Sequence, residues 1–408
     1  MASSFTWMAY AEAERRQVLD VITLLSERDT RDELGIGSVR DSLSDLLFPG
    51  TNVIQTRARY FLFISWVYLE LERLRVPSRD VEMRARSAET ALIEPLSHSD
   101  DTGGIIGIDA RLSLKRLASN VYWLGLRRWG IRIFPGSQEQ YHRSLDRFYA
   151  GARDGLRNDD GEPLDETGTI NWHAGLPPIP RNFPQGVSFR LSRVEAEYLR
   201  ERLMARAPGT LLTHLVDVGT AFEPVQFPWE HPLASELPRH LETQLEHARN
   251  FSEAMHGAVL LYNLMLGELS ERRDREEHYR TALLDWAALV TRRRGMLATW
   301  DREDFWRTVT SAGYGIPLAT RQFANRWLDV ALSVGTSQRS VGVDADAREL
   351  VCHRERFLKR DRSRLTNRRA LEGWSGSAGD RQLAYRWATV QQIVLDILAG
   401  LRRGDSDA

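Results

Sequence analysis

The sequence contains a single cysteine, Cys352, among its 408 residues. One cysteine excludes an internal disulfide and a zinc site built from cysteines. The sequence also lacks a long hydrophobic run: the longest candidate, Tyr60 to Leu71, is about two-thirds of what a bilayer requires. The first residues form neither a basic nor an apolar segment, so we expect no secretory signal. These absences predict a cytoplasmic protein that has no membrane partner.

Several catalytic motifs are missing as well. We find no Gly-x-x-x-x-Gly-Lys-Ser/Thr loop, no His-x-Lys pair of the phospholipase-D type, no Glu-x-Lys half of a restriction-nuclease core and no Gly-x-Ser-x-Gly elbow. We therefore predict neither a cofactor nor a bound metal, and favour a protein that is not an enzyme.

Lysine is rare, because Lys115 and Lys359 are the only lysines among the 55 basic residues. The remaining arginines suit phosphate or carboxylate clamps, although a GC-rich genome also favours arginine. The net charge of −1 provides no overall attraction to nucleic acid.

Helical periodicity extends over nearly the whole chain. It predicts a first helix from Tyr10 to Arg28, and the run Tyr60 to Trp66, apolar on several faces, predicts the central helix of a core. Residues 158–190 are rich in turn-forming residues and proline. We therefore predict a mainly α, multi-helix fold with a helical domain over 1–157, a linker or crossing loop over 158–190 and a second helical domain over 191–408. Further helices are predicted at 38–47, 54–74, 111–130, 137–157, 192–205, 232–248, 250–271, 275–294, 302–311, 317–334, 344–360 and 380–402.

Four blocks of sequence resemble a known protein family. The first is Asp32-Glu-Leu-Gly-Ile-Gly-Ser-Val-Arg-Asp, which continues to Thr51 and into Gln55-Thr-Arg-Ala-Arg-Tyr. The others lie at 116–131, at 251–265 and, in pieces, at 364–401. These blocks resemble a bacterial family of uncharacterised proteins that are often encoded in phage-defence gene islands beside helicases, methyltransferases and phospholipase-D-like proteins. The resemblance implies a role in anti-phage defence beside helicase, methyltransferase or nuclease partners, and it implies no particular reaction.

A basic segment lies between Ala110 and Phe134, where the sequence has no acidic residue and three interleaved aromatics, Tyr122, Trp123 and Trp129. A turn, a short helix and a second helix with exposed arginines would form a helix-turn-helix-like reader of DNA, whose aromatics could stack on single strands. Alternatively, the segment is a solvated helix face whose aromatics belong to the core. The candidate nucleic-acid-binding residues here are Arg111, Lys115, Arg116, Arg127, Arg128 and Arg132.

A second basic segment lies near the C-terminus and is dense enough to create a local positive field. A solvated helix, or an interface with an acidic protein, is compatible with the same pattern. The candidate nucleic-acid-binding residues here are Arg354, Arg356, Lys359, Arg360, Arg362 and Arg364.

Two further patterns have a carboxylate three residues before a histidine. Glu253 and His256 lie in a strongly apolar helix, and Glu139 and His142 repeat the spacing. Such pairs can ligate a metal in helical bundles, but a buried Glu253–His256 pair that orders the packing is the interpretation we favour.

Arg273 and His278 have the spacing of a motif in a family of small, all-helical ribonucleases, where such residues transfer protons and bind the scissile phosphate. A charged, solvated helix start explains the same residues. Cys352 is flanked by His353 and Arg354, but a cysteine without an orienting partner is usually not catalytic.

Taken together, the residues and the resemblance predict a non-catalytic component of an anti-phage defence system. It would contact nucleic acid, with DNA as the expected partner, or scaffold a complex of defence proteins. Two alternatives stay open: a protein–protein scaffold that binds no nucleic acid, and an all-helical, metal-independent ribonuclease.

Overall fold

A computed structural model describes residues 32–108, 116–154, 170–334 and 340–403. These residues are mainly α-helical, and the β pairing among them is an isolated antiparallel bridge between Arg132 and Trp172. The predicted fold class is therefore confirmed. The helix predicted from Tyr10 to Arg28 lies outside the described residues. None of the described helices is both long and apolar enough to cross a membrane.

The helices are numbered here in chain order. They are α1 (Gly37–Leu47), α2 (Tyr60–Arg73), α3 (Ser78–Ala91), α4 (Ile93–Ser97), α5 (Ala118–Arg128), α6 (Gln138–Asp154), α7 (Arg193–Arg206), α8 (Leu211–Val218), α9 (Arg239–Leu269), α10 (Arg273–Thr299), α11 (Arg302–Ser311), α12 (Leu318–Ser333), α13 (Ala345–Lys359), α14 (Arg368–Glu372) and α15 (Trp387–Leu401). Short 3-10 turns lie at Pro228–Glu230, Pro232–Ser235, Val341–Val343 and Arg360–Arg362.

The helices predicted at 232–248 and 250–271 form one continuous helix, α9. Asn250, which lies where the break was predicted, is fully buried and its Oδ1 accepts a hydrogen bond from Nη2 of Arg293 at 2.6 Å. A polar side chain that finds a partner on another helix does not compete with its own backbone, so the helix continues.

The chain divides into two compact units, each assembled from segments that are distant in sequence. Unit A comprises the described residues up to Leu43 together with those of Glu246–Leu383. Unit B comprises those of Ser44–Leu245 together with those from Ala384 onward. This division differs from the predicted one, because the described part of 158–190, from residue 170 onward, falls inside unit B and does not separate the two units.

The core of unit A is built on α9. From Phe251 to Leu266 every side chain except that of His256 is buried, as expected for a helix that is apolar on all faces. Gly257 permits a close approach by α10, because a Cβ at this position would lie 2.2 Å from Cε2 of Trp286. Trp286 donates from Nε1 to the carbonyl of Glu253 at 2.8 Å, which satisfies its polar atom within the core.

The core of unit B is built on α2, whose residues from Tyr60 to Tyr68 are all buried. Phe61 stacks on Trp129 with 3.9 Å between the ring centroids. Just before α2, buried Arg57 makes a two-pronged ion pair with Asp396 of α15, in which Nε–Oδ2 and Nη2–Oδ1 are both 2.9 Å. Arg57, one of the charged residues of the first sequence block, is therefore explained by packing within unit B.

Candidate functional site

The basic segment at 110–134 does not form a continuous basic stripe. Arg111 and Lys115 lie outside the described residues. Among the remaining candidates, Arg128 is exposed, and Arg116 and Arg127 are half-buried.

Arg132 belongs to the core of unit B. It is only 2 % exposed, and its guanidinium lies 4.4 Å from the ring centroid of Trp123. It donates to the carbonyls of Trp123 (3.1 Å), Gly136 (2.9 Å) and Phe134. Burial, together with the positive charge of nearby Arg127, lowers the pKa of Arg132 to about 10. Because these carbonyls already bind its donors, we do not assign Arg132 to a phosphate-binding surface.

The aromatics of the same segment are also in the core. Tyr122, Trp123 and Trp129 are all less than 9 % exposed. Trp129 donates from Nε1 to the carbonyl of Pro49 at 2.9 Å, and the Tyr122 hydroxyl donates to the carbonyl of Arg57 at 2.9 Å. Their faces are covered by protein, so they offer no platform for bases. The exposed face of α5 carries Asn120, Leu124 and Arg128, of which only Arg128 is a cation.

The C-terminal basic segment divides into cations that point into unit A and cations that point outward. Arg354 points inward and is 4 % exposed. Its guanidinium donates to the carbonyls of Leu34 (2.8 Å) and Gly35 (3.1 Å) and to Oγ1 of Thr320 (2.9 Å). Burial lowers the pKa of Arg354. Arg354 therefore fixes the segment 32–37 by hydrogen bonds, and we do not assign it to a nucleic-acid-binding surface.

Lys359 and Arg364 also point inward, toward the buried carboxylate of Glu33. Arg364 Nη1 lies 3.0 Å from Glu33 Oε1, and Lys359 makes an ion pair with Glu33 Oε2. Lys359 Nζ is in addition 3.5 Å from Oε1 of Glu355. The two cations therefore already have carboxylate partners, and their role is to join the start of the described chain to α13.

Glu355, whose side chain is completely buried, organises the turn after α13. Its Oε1 accepts hydrogen bonds from Tyr262 Oη (2.7 Å) and the backbone N–H of Arg364 (2.8 Å). Its Oε2 accepts from Ser363 Oγ (2.6 Å) and the backbone N–H of Leu365 (3.0 Å). Four donors on one carboxylate fix the chain from 360 to 365 in a single path.

An open cleft of about 550 Å³ lies outside this turn, and we call it the arginine cleft. Its lining residues are Arg356, Arg360, Asp361, Thr366, Asn367 and Arg368. The three arginines are exposed, and within the part of the chain that the structure describes their side chains have no ion pair and no hydrogen bond. Asn367 stabilises the far wall: its Nδ2 donates to the carbonyl of Asp361 (2.6 Å), and its Oδ1 accepts from the backbone N–H of Arg369 (3.0 Å).

The backbone at Arg360 is strained. Its φ of 50° and ψ of −121° fall in a region that favours glycine, although its N–H still bonds to the carbonyl of Arg356 and closes α13. Such a conformation costs on the order of 1–3 kcal/mol and persists where the surroundings impose it, often at functional sites. Here it carries an arginine into the lining of the cleft.

Three unpaired guanidiniums around one concavity are suited to an oxyanion, because each can bind a phosphate or carboxylate through two parallel hydrogen bonds. A simpler role is available for Arg356 and Arg360, since cations at the end of a helix interact favourably with its dipole by about 0.3–1 kcal/mol. That role does not extend to Arg368, which lies in the first turn of α14.

Sequence reasoning identified Arg356 and Arg360, and also Arg362, which is exposed beside the cleft. It missed Arg368 and Asn367. Asn367 is the N-cap of α14. Asparagine is a common N-cap residue, so the sequence could have predicted that a short helix begins at Arg368.

Glu253 and His256 do not pair with each other. Glu253 is 3 % exposed and lies between two arginines, with Arg249 Nε 2.9 Å from Oε1 and Arg293 Nε 2.9 Å from Oε2. The half-buried His256 shares a hydrogen bond of 2.9 Å with the carbonyl of Asp380, and burial lowers its pKa. Both are packing residues of α9 that contact different partners.

The repeat of that spacing gives a similar result: His142 Nε2 lies 3.1 Å from the Tyr68 hydroxyl, whereas Glu139 makes an ion pair with Arg143. Among the residues whose placement is described, no group of three or more His, Cys, Asp and Glu side chains is arranged to hold a metal ion.

Arg273 and His278 are both exposed near the start of α10. The His278 ring packs edge-on to Tyr279, with 4.9 Å between centroids. Burial raises the pKa of the half-buried Cys352 thiol, opposite to what a nucleophilic thiolate requires.

Unit B contains one buried carboxyl with a strongly shifted pKa, Glu89. Its Oε2 accepts the backbone N–H of Ser119 at 2.8 Å, whereas Oε1 is buried without a hydrogen-bond partner. Burial raises the pKa of Glu89 to about 7. Since no described cleft reaches Glu89, we treat it as a feature of stability.

Comparison with known proteins places the chain in a family but near no characterised relative. No curated protein and no solved structure gives a significant match. A family model described as "Family of unknown function (DUF6361)" matches residues 2–400, which is nearly the whole chain. The protein therefore belongs to the DUF6361 family, a family of unknown function.

Proposed function

We propose that this protein binds the phosphate backbone of nucleic acid through the arginine cleft of unit A. The observation that carries the proposal is the presence of Arg356, Arg360 and Arg368, exposed and without a carboxylate partner among the described residues, around one concavity. Elsewhere in the same segment, Lys359 and Arg364 are paired with the carboxylates of Glu33 and Glu355.

A polyanion explains the extent of this surface better than a single anion does. Arg362 and Arg369 are also exposed, so five guanidiniums reach solvent between residues 356 and 369, with Asp361 as the one acidic residue in that stretch. One phosphate uses one or two arginines, whereas successive phosphates of a strand can use all of them. The attraction is local, because the chain as a whole has a net charge of −1.

We further propose, from the resemblance given by the sequence blocks, that this binding serves anti-phage defence. In this proposal the protein is a non-catalytic component that brings neighbouring helicase, methyltransferase or nuclease proteins to DNA. The proposal fits the exposed cationic surface of the arginine cleft, near which the described residues include no metal-binding group of side chains.

The test is binding of fluorescent duplex and single-stranded DNA across about 50 to 200 mM salt, the range over which phosphate contacts weaken strongly. Arg356, Arg360 and Arg368 are changed together to Gln, and a matched control changes Arg292, Arg294 and Arg326 of unit A, which are exposed but do not line the cleft. Both variants lose the same charge.

We expect the cleft variant to lose at least tenfold in affinity at low salt and its salt slope to fall by roughly 0.9 per lost duplex contact, or 0.7 for a single strand. The control should change little. Equal losses in both variants, or no binding by the wild type at about 50 mM salt, would contradict the proposal and favour a scaffold that binds protein alone.

A further inference from the structure

A large aromatic side chain is exposed on α13, the helix that supplies Arg356 to the arginine cleft. Phe357 of α13 is 59 % exposed, although burial of a phenylalanine side chain is favourable by about 1.5–3 kcal/mol. The adjacent Leu358 is 39 % exposed. Val351 and Glu355 on the same helix are buried, so α13 has an inward face, and Phe357 lies off it.

Phe357 lies within one helical turn of residues that line the cleft. On α13 it has exposed His353 as its neighbour four residues before it. Arg356, which lines the cleft, is the preceding residue, and Arg360, also in the lining, follows directly after the end of the helix. A flat apolar ring is therefore exposed close in sequence to two of the three arginines that line the concavity, together with Asp361, Thr366 and Asn367.

We propose that the cleft binds unpaired nucleic acid, with its arginines on successive phosphates and one base stacked on Phe357. The inference rests on the proposed function and specifies its ligand. Base faces are available in single strands and covered in a duplex, and stacking on an aromatic side chain is the usual source of affinity for unpaired bases. A volume of about 550 Å³ also lies in the range of small-molecule sites, which suits a nucleotide or two of a flexible strand.

A protein partner is a weaker explanation of the same exposure. A stable protein interface buries about 800 Å² on each side, with a cluster of apolar anchors at its centre. Phe357 and Leu358 are flanked instead by His353, Arg356 and Arg360. A single aromatic ring among several arginines suits a nucleic-acid strand, in which a base can stack on the ring while neighbouring phosphates bind the arginines.

The experiment compares three fluorescent probes at one salt concentration: an oligothymidine, an abasic strand with the same number of phosphates, and a duplex of the same length. Phe357→Leu keeps apolar volume and helix propensity but removes the stacking face. Leu284→Ala is the control, because Leu284 is 57 % exposed on α10, away from the cleft lining.

We expect the wild type to prefer oligothymidine over both other probes. Phe357→Leu should weaken oligothymidine binding about tenfold, within the range measured for single stacked bases, and leave the abasic and duplex affinities unchanged. Thermal melts should coincide, because the side chain is exposed.

Two failures are distinguishable. If the probes bind and weaken with the arginine substitutions, but Phe357→Leu has no selective effect on oligothymidine, the stacking inference is wrong and the proposed function survives. If no probe binds at low salt, the proposed function itself fails.

Discussion

Replacing Glu355 with Gln should destabilise unit A far more than a loss of one surface charge would. Gln has the same shape, but an NH₂ group takes the place of one oxygen. Each oxygen of Glu355 accepts one hydroxyl and one backbone N–H: Tyr262 and Arg364 on Oε1, Ser363 and Leu365 on Oε2. In either amide orientation, two donors face another donor.

The magnitude follows from which donors can adjust. The hydroxyl of Tyr262 or Ser363 can rotate and accept from the new NH₂, but a backbone N–H cannot. One buried N–H, of Arg364 or Leu365, therefore loses its partner, at about 1–3 kcal/mol. The remaining bonds also lose the strength that a charged acceptor gives, about 1 kcal/mol or more in total. We expect the free energy of unfolding to fall by about 3 kcal/mol.

The assay is urea denaturation followed by far-UV circular dichroism. Glu349→Gln is the control, since Glu349 lies on the exposed face of the same helix and should change the free energy of unfolding by less than about 0.5 kcal/mol. Because Glu355 fixes the turn that carries Arg360, oligonucleotide affinity of the folded variant should fall as well. A loss below about 1 kcal/mol would refute the claim that these four bonds hold the turn.

Two other substitutions test strain and burial. Arg360→Gly should relieve a backbone cost of about 1–3 kcal/mol against an entropy cost of 0.5–1 kcal/mol. Urea denaturation should therefore show equal or greater stability while anisotropy shows weaker oligonucleotide binding, and a destabilised variant would mean that the φ of Arg360 is not strained. Glu89 has a folded-state pKa of about 7 against an ordinary value of 4.5, so its contribution is fully present below 4.5 and lost as pH rises toward 7. Between pH 5 and 8, Glu89→Gln should therefore gain on the order of 2–3 kcal/mol in the free energy of unfolding relative to wild type, and parallel pH profiles for the two proteins would show that Glu89 ionises normally.

The local part of the fold could be predicted from sequence, because the 3.6-residue period is a short-range signal. The helix predicted at 192–205 illustrates this: α7 begins there, at a capping box formed by Ser192 and Glu195. The division into units could not be predicted, since it depends on pairings such as Arg57 with Asp396, which lie hundreds of residues apart. Composition and periodicity do not show which distant residues will pair.

The candidate site shows the same limit. The C-terminal arginines were identified as a group, but their orientation depends on Glu33 and on the carbonyl of Leu34, at the other end of the chain. Arg354 and Arg364 face these partners, and Arg356 does not. A sequence thus shows where cations are dense. It does not show which of them are paired inside the protein and which are exposed, because that depends on the fold.

The interleaved course of the chain through its two units constrains how the protein can be made and divided. Unit A needs residues near the N-terminus and also Glu246–Leu383, and unit B closes with residues after Ala384. During synthesis from the N-terminus, neither unit has all its parts until the ribosome has almost finished. Long stretches of the chain therefore expose apolar surface until late, long-range contacts form. Cutting the chain near residue 170 would leave both halves incomplete. Removing residues up to Leu43 would take away the partners of Arg354, Lys359 and Arg364, and also the buried side chains of Val39 and Leu43.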